Sequence, residues 1–246
     1  MNRNYPMSNK TYLAVTVTVI FLAGLGFGFS LDDAWQSRTI NTSTREQTLS
    51  TALQQSRVST TSPAGNFRVL VNGASRDYAA IVISASHELL QNYRPNIPLT
   101  EIQGGAEYTA VKQRTQAIGQ ALVAVIGPAN RQALEANWTA QSTAILTYTT
   151  SLAAGDQNGI AKAVADLNSA NQQIAKLLNR WSTKLNNSTI QAALDRGSLA
   201  IRDAINAIKT GQNSTYYAQQ QLATEQFGLF ADIVSQGLVA AAPQNF

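Results

Sequence analysis

One stretch of the chain, Trp138–Trp181, reads WTAQSTAILTYTTSLAAGDQNGIAKAVADLNSANQQIAKLLNRW and predicts a helical hairpin. Its second half carries apolar residues at intervals of three and four, which lie on one stripe of an α-helix. Those residues are Ile160, Val164, Leu167, Ile174, Leu177 and Leu178. Gly155 suits the positive φ that often ends a helix, and Asp156 suits the cap of the next one. Because the turn is short, the two helices are predicted to be antiparallel neighbours.

The same hairpin is predicted to occur three times, because a shift of the sequence by about 56 residues superposes similar residues. Gly155 falls on Gly211 in this alignment, and the apolar positions coincide as well. The matching sets are Leu89, Ile145 and Ile201; Ile118, Ile174 and Phe230; Leu122, Leu178 and Val234; and Gly119, Ala175 and Ala231. The alternative is that any two amphipathic helices can be aligned in this way. The matched glycine favours true repetition.

The region from residue 66 to residue 240 is therefore predicted to be all-α, with three tandem antiparallel hairpins that form a four-helix bundle plus a further hairpin. The helices are expected at about Ser75–Gln91, Ala106–Ile126, Asn130–Ala153, Asn158–Trp181, Ser188–Lys209 and Ser214–Val239. Pro128 is well placed at a helix start, and Asn186 begins a run that caps the following helix. Residues 241–246, which include Pro243, are expected to fray.

An apolar segment lies near the N-terminus. Tyr12–Phe29 has no charged residue, whereas Arg3 and Lys10 precede it and Asp32 and Asp33 follow it. This asymmetry is typical of a segment whose N-terminal side stays in the cytoplasm. We therefore expect a transmembrane anchor at this position.

The length of this segment leaves an alternative. It is near the lower limit for a spanning helix and the upper limit for a signal-peptide core, so cleavage near Ser30 is the second interpretation. With a retained anchor, residues 1–11 are cytoplasmic and residues 30–65, rich in Ser, Thr, Gln and Arg, form a polar stalk. In either case most of the chain lies outside the cytoplasm, at the cell membrane or secreted.

The composition limits the classes of partner. Charged residues make up only 13% of the chain, and the net charge of +4 is scattered. No run of Lys and Arg is interleaved with aromatic residues, so nucleic acid is not predicted as a partner. There is no cysteine, and hence no disulfide framework and no thiolate metal site.

Part of the chain resembles a family of small bacterial proteins built from tandem helical hairpins. The resemblance covers residues 70–178 and is clearest at Ile118–Leu122, at the Gly155-Asp156 turn and at Ile174–Leu178. Family members carry a similar Ile-Gly-Asn-Ala-Ile segment and a Gly-Asp hairpin turn. The resemblance implies a four-helix bundle and no particular activity.

The chain lacks one motif of that family, which occurs in two helices. Members tend to carry Trp-x-Glu-His early in their first and third helices, as a metal or polar-core site. The matching positions lie close to Gly73-Ala74 and Ala140-Gln141, so the acid and the imidazole are missing. Residues after Arg180 would add a further pair of helices to the implied bundle.

The sequence contains no constellation of residues that predicts a reaction, so no enzyme activity and no cofactor are expected. His87 is the single histidine, and a zinc or di-iron site needs several convergent ligands. Residues that could contact a ligand or an interface are His87, Glu88, Tyr148, Trp181 and Tyr216. The aromatic side chains among them also fit ordinary core packing.

These observations predict a membrane-anchored extracytoplasmic helical bundle that acts as a structural or interaction module, with a protein partner in the cell envelope. One alternative is a small-ligand-binding or sensor-like bundle, which a cavity lined by Tyr148, Trp181 and Tyr216 would favour. The short segment before the anchor argues against a sensor with a cytoplasmic output. A metal-binding bundle is the third interpretation.

Overall fold

A computed structural model describes residues 62–94 and 105–246. This part of the chain is helical throughout, with no strand, so the all-α prediction is confirmed. The helices are α1 Pro63–Gln91, α2 Ala106–Ile126, α3 Pro128–Ala154, α4 Gln157–Trp181, α5 Asn187–Lys209 and α6 Asn213–Ala241, followed by a 3₁₀ turn at Pro243–Asn245. None of them combines the length and the apolarity needed to cross a membrane. The anchor predicted at residues 12–29 lies outside the described residues.

The helix boundaries follow local capping chemistry. Gly155 ends α3 with φ 73°, and the Asp156 carboxylate accepts a hydrogen bond from Gly159 N at 3.0 Å. The side chain of Asn186 caps α5 by accepting bonds from Ser188 N and Thr189 N. These three capping roles were predicted from sequence, and the structure confirms them.

The start of α1 differs from the expected Ser75. The helix begins twelve residues earlier, at Pro63, and Ser62 caps it by accepting a hydrogen bond from Gly65 N at 3.1 Å. Proline breaks a helix from within but fits its first position, where its missing N–H is not needed. The end of the predicted stalk therefore belongs to the bundle.

The helices form two layers, an inner layer of odd-numbered helices and an outer layer of even-numbered helices. The inner layer consists of α1, α3 and α5, which contact one another. Each outer helix packs between two inner ones: α2 on α1 and α3, α4 on α3 and α5, and α6 on α5 and α1. The third hairpin thus closes the bundle against the first, and Arg68 Nε on α1 lies 2.8 Å from Asp232 Oδ1 on α6.

Residues separated by about 56 positions occupy equivalent places in the three hairpins, as expected for a repeated unit. On the outer helices, Ile118, Ile174 and Phe230 are all fully buried. The buried positions at the same spacing are Leu122, Leu178 and Val234; Tyr78, Leu134 and Ile190; Val82, Trp138 and Leu194; and Ser86, Ser142 and Ser198. Leu89 in the first hairpin is only partly buried, unlike Ile145 and Ile201.

An aromatic cluster fills the centre of the bundle. The Trp138 ring on α3 lies 4.8 Å from Tyr78 on α1, 6.0 Å from Phe227 on α6 and 5.6 Å from Phe230 on α6, between ring centroids. All four side chains are buried. Because they belong to the first, second and third hairpins, their contacts join the repeats into one core.

The C-terminal residues also differ from expectation. Residues 241–246 were expected to fray, but the chain turns at Pro243–Asn245 and its last residue returns to the bundle. The Phe246 ring lies 4.9 Å from the ring of Phe67, near the start of α1. The apolar contact between the two rings stabilises the ordered tail and offsets the conformational entropy that the tail loses.

Candidate functional site

The structure brings His87 and Tyr216 together at one end of the bundle. The two rings lie 6.0 Å apart, where the last turns of α1 meet the first turn of α6. His87 Nε2 is also 3.0 Å from Gln91 Nε2 on the same helix. Burial raises the pKa of Tyr216, whose ring also contacts that of Tyr217 in a tilted arrangement with the centroids 4.9 Å apart. Tyr217 itself is exposed, on the outer side of α6 rather than on its inner stripe.

Glu88 has a local structural role. Its carboxylate accepts a hydrogen bond from Asn92 Nδ2 at 3.0 Å, and its backbone carbonyl accepts from Asn92 N at 3.0 Å. Both bonds satisfy groups at the C-terminal end of α1. The side chain is therefore part of a helix cap.

Tyr148 lies towards the same end of α5 as Tyr216, whereas Trp181 lies at the opposite end. Tyr148 is buried between α3 and α5, where its hydroxyl donates to Asn206 Oδ1 at 3.0 Å. Trp181 ends α4, next to the connection into α5, whereas Tyr216 follows the turn out of α5. Since α5 has 23 residues, these two connections are separated by about 35 Å. Tyr148, Trp181 and Tyr216 therefore do not line one cavity.

Among residues 62–94 and 105–246, no three His, Asp or Glu side chains converge on a point that could hold a metal ion. A shallow concave surface with polar groups lies between α4 and α5. It is an open groove of about 390 Å³, and its lining side chains are Asn168, Gln191, Asp195, Arg196, Leu199 and Arg202.

A buried hydrogen-bond network that joins α3, α4 and α5 reaches this groove through Asp195. Asn171 Oδ1 accepts from Gln141 Nε2 at 2.5 Å. Asn171 Nδ2 donates to Asp195 Oδ1 at 2.9 Å and to Ser198 Oγ at 3.1 Å. Because Gln141, Asn171 and Ser198 are all buried, the network fixes the register of the three helices and the position of the Asp195 carboxylate.

The groove carries an excess of positive charge. Its lining includes two guanidinium groups, of Arg196 and Arg202, and one carboxylate, that of Asp195. Arg202 Nε is buried and has no hydrogen-bond acceptor within the described part of the chain. A buried donor without a partner is costly, so this nitrogen lowers the stability of the fold at this point.

The groove also offers an apolar contact and neutral amides. Leu199 is 47% exposed and is one of few large apolar side chains on the surface of the described helices. Asn168 and Gln191 supply amide groups on opposite helices. The set combines cationic, amide and apolar groups, and it contains no nucleophile paired with a base of the kind that covalent catalysis uses.

Sequence reasoning missed all six lining residues. The available signal was the spacing of Gln191, Asp195, Leu199 and Arg202, which share one side of a helix at intervals of three and four. Such a stripe on its own is also typical of a solvated surface. Its functional meaning depends on α4, which forms the other wall.

Comparisons with known proteins identify no relative: no family model, no curated protein and no solved structure matches the chain. The resemblance to tandem-hairpin proteins over residues 70–178 stays a prediction. The candidate site therefore stands on its geometry alone.

Proposed function

We propose that this protein is a membrane-anchored extracytoplasmic helical bundle that binds a protein partner of the cell envelope, as an interaction module or accessory subunit and not as an enzyme. The observation that carries the proposal is the groove between α4 and α5. Its combination of guanidinium groups, amides and an exposed leucine suits the polar rim and apolar contact of a protein interface.

The rigidity of the groove supports this function. A binding surface gains affinity when its side chains are already ordered before the partner arrives. Asn171 holds Asp195 and Ser198 in place from below, and both walls are long helices. The membrane location rests on the apolar segment Tyr12–Phe29 and the charges that flank it.

The test is purification of the tagged full-length chain from native membranes in mild detergent, followed by mass spectrometry of its N-terminus and of co-purifying proteins. We expect an intact Met1 and at least one companion in a fixed stoichiometric ratio. A mature N-terminus near Ser30 together with a lone monomer would overturn the proposal.

A further inference from the structure

We propose that Asn158, in the turn between α3 and α4, is a site of spontaneous covalent modification at which the side-chain amide is lost, and that the Asp156 cap sets the rate of this loss. This chemistry needs no partner and does not depend on the proposed function.

The reaction is the deamidation of an asparagine that precedes a glycine. The backbone nitrogen of Gly159 attacks Cγ of Asn158 and gives up its proton, the carboxamide nitrogen leaves as ammonia, and a cyclic succinimide remains. Water then opens either carbonyl of this ring, which gives aspartate or isoaspartate. Glycine favours the attack, because it has no side chain to hinder it and its backbone rotates freely.

The chain contains this dipeptide at two positions whose surroundings differ, Asn72-Gly73 and Asn158-Gly159. The first pair lies in the interior of α1, where the Gly73 N–H belongs to the backbone hydrogen-bond ladder. Asn72 Nδ2 also donates to Gly228 O on α6 at 3.2 Å, so the neighbouring helix holds the carboxamide. Attack at Asn72 therefore requires α1 to unwind and to separate from α6.

The second pair lies in the first turn of α4. The N–H of Gly159 is outside the backbone ladder, since the first N–H groups of a helix have no intrahelical acceptor. Its acceptor is the side chain of Asp156, at 3.0 Å. Asp156 and Asn158 are both exposed, so this turn can open without disturbing the core. The bond to Asp156 thus holds the reactive nitrogen in its helical position.

Packing explains why a glycine follows Asn158. A Cβ on Gly159 would collide with the Asp156 carboxylate and with the Ser151 hydroxyl of α3. Any other residue would therefore displace the cap. The close turn that requires the cap thus also retains the labile dipeptide.

The two products would change the turn in different ways. Aspartate places a negative charge in the first turn of α4, which suits the helix dipole. Isoaspartate adds a methylene group to the backbone before Gly159, so the Gly159 N–H moves away from Asp156 and α4 loses its cap. Because neither product returns to asparagine, the change accumulates with the age of the molecule.

The test follows both dipeptides in one sample of the full-length protein, kept in detergent at mildly alkaline pH and then digested at acidic pH, where the reaction is slow. Mass spectrometry measures the fraction of each peptide that has lost its amide. We expect the Asn158 peptide to convert at least about tenfold faster than the Asn72 peptide, because a helix end opens far more often than a helix interior. In urea-unfolded protein the two peptides should convert at similar rates.

Substitutions at Asp156 test the role of the cap. Asp156→Ala should raise the conversion rate at Asn158 about fivefold, which is the increase in the open population when a helix cap is lost. Asp156→Asn is the matched control, since asparagine caps a helix as well as aspartate does, and its rate should stay near that of the parent.

Equal conversion of the two dipeptides in the folded protein would overturn the inference, because the reaction would then require global unfolding. An Asn158 peptide that stays intact while the unfolded protein converts would overturn it as well. A rate in Asp156→Ala at or below that of the parent would show that Asp156 does not protect the site. The comparison of Asn72 with Asn158 needs no substitution, so it decides the matter even if a variant fails to fold.

Discussion

Asn171 Nδ2 on α4 donates to Asp195 Oδ1 on α5 at 2.9 Å, and this bond connects the buried interior to the open groove. Asn171 is fully buried, whereas Asp195 is half-buried and lines the groove. The position of a surface carboxylate is thus set by an amide inside the bundle. A change at Asn171 should alter both the stability of the fold and the shape of the groove.

Asn171→Leu should lower the free energy of unfolding by about 2 kcal/mol, because it leaves the Gln141 amide buried without its acceptor and removes the donor to Ser198. Urea unfolding followed by circular dichroism measures the loss. Gln173→Leu is the control, since this exposed residue of α4 should change stability by less than about 0.5 kcal/mol. Equal stability of Asn171→Leu and Gln173→Leu would show that the network contributes nothing to the fold.

Gly197→Ala should destabilise the protein by about 1–2 kcal/mol. An added Cβ would lie 2.7 Å from Phe227 Cε2, and this ring is held by Tyr78 and Trp138 in the central cluster. Gly73→Ala should do the opposite and stabilise by about 0.5–1 kcal/mol, because a Cβ there meets nothing within 4 Å and alanine favours a helix. Thermal unfolding of both variants checks the signs. A stabilised Gly197→Ala protein would mean that Phe227 can move aside.

The helices were predictable because their boundaries are encoded locally. Gly155, Asp156 and Asn186 each act on groups within a few residues, so a single sequence suffices to place them. The start of α1 was missed because a Ser-Pro pair is compatible with both a break and a helix start. Only the burial of Phe67 and Val71, which the tertiary packing determines, resolves that ambiguity.

The candidate site could not be predicted for a related reason. Arg196 and Arg202 look like ordinary surface charges until α4 is placed beside them, and that placement depends on contacts distant in sequence. The packing of α6 on α1, through pairs such as Arg68 and Asp232, is likewise a long-range result. Hydrophobic periodicity shows which side of a helix is buried but not which helix covers it.

Gly155→Ala should destabilise the α3–α4 turn by about 1–2 kcal/mol, although there is open space around the residue. The cost comes from the backbone, because φ at Gly155 is 73° and a Cβ is strained in that region. Gly155→Asn should cost less than Gly155→Ala, since asparagine tolerates the left-handed conformation. Chemical denaturation of the two variants gives this order directly. If Ala and Asn proved equivalent, backbone strain would not be the cause.

Tyr78 should make the stability of the protein depend on pH in the alkaline range. Burial raises the pKa of Tyr78 above its ordinary value, and its hydroxyl lies 3.1 Å from Ser142 Oγ. Because Ser142 donates its own proton to the Trp138 carbonyl, the Tyr78 hydroxyl is the donor in this pair. Deprotonation would therefore remove a buried hydrogen bond and leave a charge in the central cluster.

The sign follows from proton binding in the two states. Below pH of about 10 both states keep the Tyr78 proton, so its contribution is constant. Above it the unfolded chain releases the proton and the folded chain retains it, so the free energy of unfolding falls as pH rises. Tyr78→Phe lacks this pH-dependent contribution to the free energy of unfolding, so only the smaller contribution of other groups such as Tyr216 remains. The stability difference between the parent and Tyr78→Phe should shrink by about 1 kcal/mol between pH 9.5 and pH 10.8, measured by urea unfolding. A difference that stays constant over this range would show that Tyr78 titrates as freely in the folded protein as in the unfolded chain.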